Sequence, residues 1–293
     1  MRLSTADMER LRAATGRSIV EPRDSLFGPR SVTWRVNREA ALLLGGGRAL
    51  LLQVAHPLVA AAVARHSDFR SRPLQRLRRT LELTTTIVFA DAAGAIGAVR
   101  QIEAVHSRVR GTLPATVGPF RRGTAYDAND PELLFWVHAT LADTAVRVYE
   151  RFVRPLTLAD KTALYEESKV VARLFGVPDS IIPPALAAFN RYMDGMIRGP
   201  VLAVGRDSRE IAASILRPPL PPGARQIVGA NRFFTVGLLP PVLRRRYGLR
   251  WSPRRERALD AIAAMTRAGL PLLPRLARSF PRARRAAGED VRT

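Results

Sequence analysis

Four histidines and one arginine-rich stretch are the side chains whose type and spacing could do chemistry. His106 stands four residues after Ile102 and seven after Val99. A helix through them puts the imidazole on the apolar stripe, with Arg110 one turn further on the same face. An imidazole aimed from a helix into an apolar pocket can ligate haem iron through one neutral nitrogen while the other donates to a carbonyl or carboxylate. A core histidine satisfied by a backbone acceptor gives the same spacing. Arg76, Arg79 and Thr80 stand at i, i+3 and i+4, and so share a helix face. Guanidinium forks bind carboxylates such as haem propionates, and a threonine hydroxyl can hydrogen-bond an iron-bound ligand or a water. A solvated arginine face is the alternative. His138 falls on the inner face of another helix, His56 precedes Pro57 in an apolar stretch, and His66 sits in the polar run Arg65-His66-Ser67-Asp68.

Other chemistries lack their parts. The 293 residues include no cysteine, which excludes a disulfide scaffold, a zinc finger and a thiol enzyme. There is no His-Glu-x-x-His, and the one Glu-x-x-His pair, Glu103 and His106, has no second copy for a di-iron bundle. Gly45-Gly46-Gly47-Arg48 lacks the Gly-Lys-Ser/Thr ending of a phosphate loop, and no Gly-x-Ser-x-Gly elbow supports serine hydrolysis. The net charge of +22 favours anionic partners. Only Lys161 and Lys169 are lysines, however, and the arginine skew in an alanine-rich chain weakens the charge as a sign of nucleic acid.

The elements that must position these residues read as helices. Two alanine- and leucine-rich segments, Asn37 to Leu44 and Arg48 to His66, flank the triple glycine, a break or a point of close backbone approach. Pro73 opens a helix to about Ala90, and Ile96, Val99, Ile102, His106 and Val109 form a stripe stopped by Gly111 and Pro114. Asp130-Pro131-Glu132 is a helix start, and Thr157 with Asp160 another. Further helices are expected toward Met196, from Asp207 to Leu216, from Ala224 to Leu238, from Leu243 to Tyr247 and from Pro253 to Gly269, followed by a basic, proline-punctuated tail. No strand-helix alternation occurs, so the expected class is all-α. The expected organisation is an extension over 1–31, one helical domain over 32–252, and a C-terminal helix and basic tail over 253–293. No N-terminal secretory pattern occurs, and neither half of the apolar region Ala40 to Ala64 reaches the ~20 residues of a spanning helix. The expectation is a cytoplasmic chain, with peripheral contact to an anionic membrane as the alternative.

Taken together, several motifs are more specific than any one alone. These are Leu42-Leu43-Leu44-Gly45-Gly46-Gly47-Arg48 running on to Gln53-Val54-Ala55-His56-Pro57, then His66-Ser67-Asp68-Phe69, Arg76-Leu77-Arg78-Arg79-Thr80, His106-x-x-x-Arg110-Gly111, Tyr126-x-Ala128-x-Asp130-Pro131-Glu132 with Trp136-Val137-His138-Ala139-Thr140, and Leu238-Leu239-Pro240. From about Val32 to Trp251 the chain resembles the MpaB-like and rubber-oxygenase (latex clearing protein) family, in an uncharacterised bacterial branch. The resemblance implies a globin-like helical core around a pocket holding one non-covalent haem b, and oxygen-dependent oxidation. It implies His106 as the iron ligand, Arg76, Arg79 and Thr80 at the reacting face, and Arg110, His138 and Arg48 toward the cofactor.

Two departures narrow the activity. Arg79 stands where the rubber-cleaving branch has a lysine able to ligate iron, and a guanidinium that stays protonated cannot do so. That branch is also credited with a carboxylate base upstream of the arginine stretch, whereas no acidic residue occurs between Ala40 and Ser67. The expected activity is therefore a haem-dependent oxygenase acting with dioxygen on a small, apolar, unsaturated substrate rather than on rubber. A non-catalytic haem sensor or carrier is the first alternative. The second is a basic protein that binds anionic membrane or nucleic acid through Arg244-Arg245-Arg246, Arg254-Arg255 and the tail. Sparse aromatics there argue against specific nucleic-acid binding.

Overall fold

Side chains cap the starts of several helices, among them Ser4, Ser31, Asp91, Asp130, Thr157 and Ser252. The computed structural model describes residues 3–18, 21–67, 73–218 and 225–288, with the backbone alone at 73–77 and 275. Its helices are α1 (Thr5–Thr15), α2 (Val32–Asn37), α3 (Gly46–Val54), α4 (Pro57–His66), α5 (Pro73–Phe89), α6 (Ala92–His106), α7 (Pro131–Phe152), α8 (Leu158–Leu174), α9 (Leu186–Arg198), α10 (Arg206–Leu216), α11 (Arg225–Leu238), α12 (Pro241–Arg246), α13 (Pro253–Gly269), α14 (Arg275–Arg278) and α15 (Pro281–Ala286). Two 3₁₀ turns, Ala40–Gly45 and Leu270–Leu272, join them. The protein is all-α apart from one short hairpin, β1 (Arg110–Thr112) against β2 (Ala125–Asp127), which helical periodicity did not foretell.

The spine is α7. The Asp130 carboxylate accepts from the backbone N–H groups of Glu132 at 2.8 Å and Leu133 at 3.2 Å, and Pro131 fills the first turn, where its missing donor costs nothing. Thr157 and Asp160 form the expected capping box at the start of α8. α7 packs on the Ala40–Gly45 turn, α3, α8 and α13. Its buried residues Phe135, Trp136 and Ala139 join the main core with Leu51, Leu52 and Leu243. A second core of Leu11, Ile96, Val99 and Leu174 ties α1, α6 and α8 together. The N-terminal extension is thus part of the packing, held also by Arg10 to Glu103 and Arg100 to Asp7 ion pairs.

One sequence expectation is corrected here, and the structure decides between the alternatives left open at two other places. The stretch from Arg48 to His66 is two helices, because Pro57 has no N–H to give and its ring bars helical continuation; the chain bends by 106° between Ala40–Val54 and Pro57–His66. The triple glycine is a point of close approach. A Cβ on Gly45 would lie 2.6 Å from methyl carbons of Thr144 and Val148, and one on Gly47 would lie 2.0 Å from Thr235 Oγ1. The basic tail is held against the body: Phe280 donates its N–H to the Arg38 carbonyl at 2.9 Å, and Ala283 is buried near Trp34 and Phe89. Among the described residues no single helix is long and apolar enough to cross a membrane.

That close approach seats one buried charge. Arg48 is 1% exposed and ties its own helix to two others, α7 and α11. Its guanidinium donates to Asp143 Oδ2 at 2.6 Å, Thr144 Oγ1 at 2.5 Å and the Leu238 carbonyl at 3.0 Å. Burial pulls the guanidinium pKa down, and the Asp143 charge opposes this. Arg48→Met should cost about 3–5 kcal/mol, because it strands the Asp143 carboxylate in the core. In urea melts the Arg48→Met/Asp143→Leu double variant should recover much of that loss. A single variant as stable as wild type would contradict the anchor.

Candidate functional site

The helix carrying His106 ends at that residue. Asp91 caps α6 by accepting the Gly94 N–H at 2.8 Å, and Ala95, Ile96 and Val99 bury its inner face. His106 follows this stripe at the last turn and is half-buried. Its Nδ1 is enclosed by protein and has no hydrogen-bond partner among the described residues. Burial lowers the pKa of the ring against the opposing charges of Glu103 and Asp127, so the ring is neutral and a nitrogen lone pair is available.

Beside this turn lies a cleft of about 350 Å³ lined by His66, Arg79, Gln101, Ala104, Val105, Arg108 and Val109. It brings together the ends of α4 and α6 and the exposed face of α5, with two guanidinium groups and no carboxylate in its lining. His66 Nε2 lies 3.2 Å from the Tyr126 phenol oxygen. Gly111 makes that arrangement possible, because a Cβ there would come within 2.6 Å of the same oxygen. Sequence reasoning missed Gln101, Arg108 and Tyr126. A signal was present in Gly111 and Tyr126, which both occur in the quoted motifs, but their pairing across β1 and β2 needs the hairpin.

The structure distributes the predicted residues unevenly. Arg79 lines the cleft; Thr80 is exposed on the same helix, and the side chain of Arg76 lies outside the described residues. Asp68 and Phe69 also lie outside them. Arg110 is corrected: α6 stops before it, so it shares no helix face with His106. It starts β1 instead, exposed, donating to the Ser107 carbonyl at 3.2 Å with Asp127 3.8 Å away. Arg48 is corrected as well, since its buried guanidinium is spent on α7 and α11 and presents no face to a cofactor.

His138 is half-buried on α7, with the Phe135 ring centroid 6.2 Å away and no hydrogen bond to another described residue. Desolvation drives its pKa to about 4, so it too is neutral. His56 is structural. Its Nδ1 accepts the Leu58 N–H at 3.3 Å at the start of α4, and its ring lies against Phe120. A larger cleft of about 460 Å³, between α4 and the start of α10, contains none of the histidines, and an Arg65–Asp207 pair 3.6 Å apart sits in its wall. Of the predicted residues, Arg79 lines the smaller cleft together with His66, while His106 sits in the turn beside it and is not part of its lining.

The model of the family described as "ER-bound oxygenase mpaB/B'/Rubber oxygenase, catalytic domain" matches residues 34–268. The chain belongs to this oxygenase family. Uncharacterised proteins from Mycobacterium tuberculosis (strain H37Rv) and Mycobacterium bovis are each 31% identical to it over 217 residues, 71% of this chain and 79% of theirs. No solved structure matches. Among the described residues of this mpaB/rubber-oxygenase domain, no group of three histidine or carboxylate side chains could hold a bare metal ion. A haem asks for less, since its porphyrin supplies four ligands and the protein need give only one axial donor. His106 has the chemistry of such a donor, and Arg79 and Arg108, in the lining of the neighbouring cleft that His106 itself does not line, have the chemistry to bind carboxylates.

The His56 ring makes a separate, structural prediction. Burial holds its pKa to about 4 against an ordinary 6.5, with Asp130 opposing. A base with a depressed folded pKa stabilises the fold above its unfolded pKa and loses that contribution as pH falls through the window from 6.5 to 4. The loss amounts to roughly 3 kcal/mol. Urea unfolding across that window should show a shallower decline for His56→Asn than for wild type. Identical slopes would contradict it.

Proposed function

We propose that this oxygenase domain uses haem b, held by His106, to oxidise a small, apolar, unsaturated molecule with dioxygen. The observation that carries the reading is the neutral imidazole at the end of α6, sealed at Nδ1 and unclaimed by any described partner. When bound, haem supplies the redox centre at which dioxygen is reduced. What the chain's own residues do follows from their places. His106 would be the side chain that holds the iron, and its place after Val99 and Ile102 on α6 keeps the ring desolvated and neutral. Arg79 and Arg108 would hold the carboxylates at the cofactor's edge and supply positive potential beside it. Their guanidinium groups stay protonated, so neither competes with His106 for iron. Thr80 offers a hydroxyl one residue beyond Arg79.

The substrate class rests on what the chain lacks and what it places near His106. Ala104, Val105 and Val109 give the cleft an apolar wall, and Val105 is exposed there. The stretch from Ala40 to Ser67 contains no carboxylate, so it cannot supply the upstream base credited to rubber cleavage.

Haem titration of the purified protein should give a Soret band that saturates at one haem per chain. His106→Ala should lose most of that band, while Arg108→Leu should weaken haem retention about tenfold with its spectral shape kept. A wild-type protein that stays colourless in excess haem defeats the proposal. Oxygen uptake by the ferrous protein with unsaturated substrates then separates an oxygenase from a carrier, which consumes none.

A further inference from the structure

Exposed apolar side chains are not scattered evenly over this surface. Ten large ones are exposed among the described residues, and five of them, Ile262, Met265, Leu272, Leu273 and Leu276, fall within one stretch of 15 residues. Leu272 is 85% exposed, Met265 73% and Leu276 59%. Single exposed leucines need no explanation, but a cluster on a monomer surface marks a contact.

The cluster is presented, not frayed. On one side, Leu259 and Ala263 of α13 are buried beside Val148 and Phe152 of α7. On the other, Ser279 pairs with Glu39 and Phe280 bonds to Arg38. The Leu270–Leu272 turn packs on α13, and Pro271 and Pro274 restrict the backbone between the two anchors. The leucines are therefore held outward by a braced segment.

Its charge selects the occupant. From 261 to 288 the sequence has six arginines and no aspartate or glutamate. Arg267 and Arg282 donate to the backbone carbonyls of Arg151 and Glu82, which orient the guanidinium groups without neutralising them. A second copy of this surface would bring like charges together. A nucleic acid would satisfy the arginines and leave the leucines in water. A bilayer with anionic headgroups satisfies both, taking the leucines into its interface and the arginines at its surface.

We propose that the segment from Ile262 to Arg285 is a peripheral docking surface for anionic lipid bilayers. The test is sedimentation of the full chain with vesicles of phosphatidylcholine alone or mixed with phosphatidylglycerol, at low and high salt. Binding should require phosphatidylglycerol and fall steeply with salt. Leu272→Ser/Leu276→Ser, two exposed positions, should weaken it at least about tenfold with an unchanged circular dichroism spectrum. Arg278→Gln/Arg285→Gln should flatten the salt dependence. Several results would overturn the proposal: no vesicle binding at low salt, equal binding to neutral vesicles, or binding indifferent to the leucine variant. So would self-association that the leucine variant abolishes in the absence of any vesicle binding.

Discussion

The fold depends on one guanidinium that has nowhere else to go. Arg48 sits in the core where α3 meets α7 and the end of α11, and its three bonds tie segments almost two hundred residues apart in sequence. The glycines before it exist for this contact, since side chains at 45 or 47 would strike Thr144, Val148 or Thr235 and hold α3 away. Once the pair with Asp143 is closed, Gln53 Nε2 reaches Thr140 Oγ1 at 3.1 Å and the Tyr247 hydroxyl reaches the Leu51 carbonyl at 2.7 Å. A hydrogen-bonded interior results around α7.

The candidate site is built at the margin of that interior. α5 and α6 pack as a hairpin whose inner face is apolar and whose outer end opens into the cleft with Arg79 and Arg108. The placement separates two tasks. Desolvation keeps His106 neutral and available, while the arginines stay at the solvent boundary, where their charge costs little to maintain. His66 and Tyr126 link the end of α4 to the hairpin beneath, so the rim of the cleft is fixed by β1 and β2 as well as by helices.

Much of this was legible in the sequence, and the failures have physical causes. The caps at Asp130 and Thr157 follow from local rules, because three or four residues determine each. Arg48 was misplaced because a sequence shows that an arginine is present but not that Asp143 and Leu238 will enclose it. Arg110 was misplaced because helix periodicity was extended past His106, where the chain turns through Ser107 into β1. Arg108 and Gln101 were missed because membership of a cleft depends on what α5 and α4 bring to the other side. The family resemblance, by contrast, was carried by motifs spread along most of the chain, and the family match over 34–268 agrees with it.

The most direct test is X-ray diffraction from crystals of haem-reconstituted protein, recorded on both sides of the iron absorption edge. His106 as the axial ligand predicts a single anomalous iron peak per chain within bonding distance of its Nε2, about 2 Å. An iron peak bonded to His138, His66 or no side chain at all would contradict it.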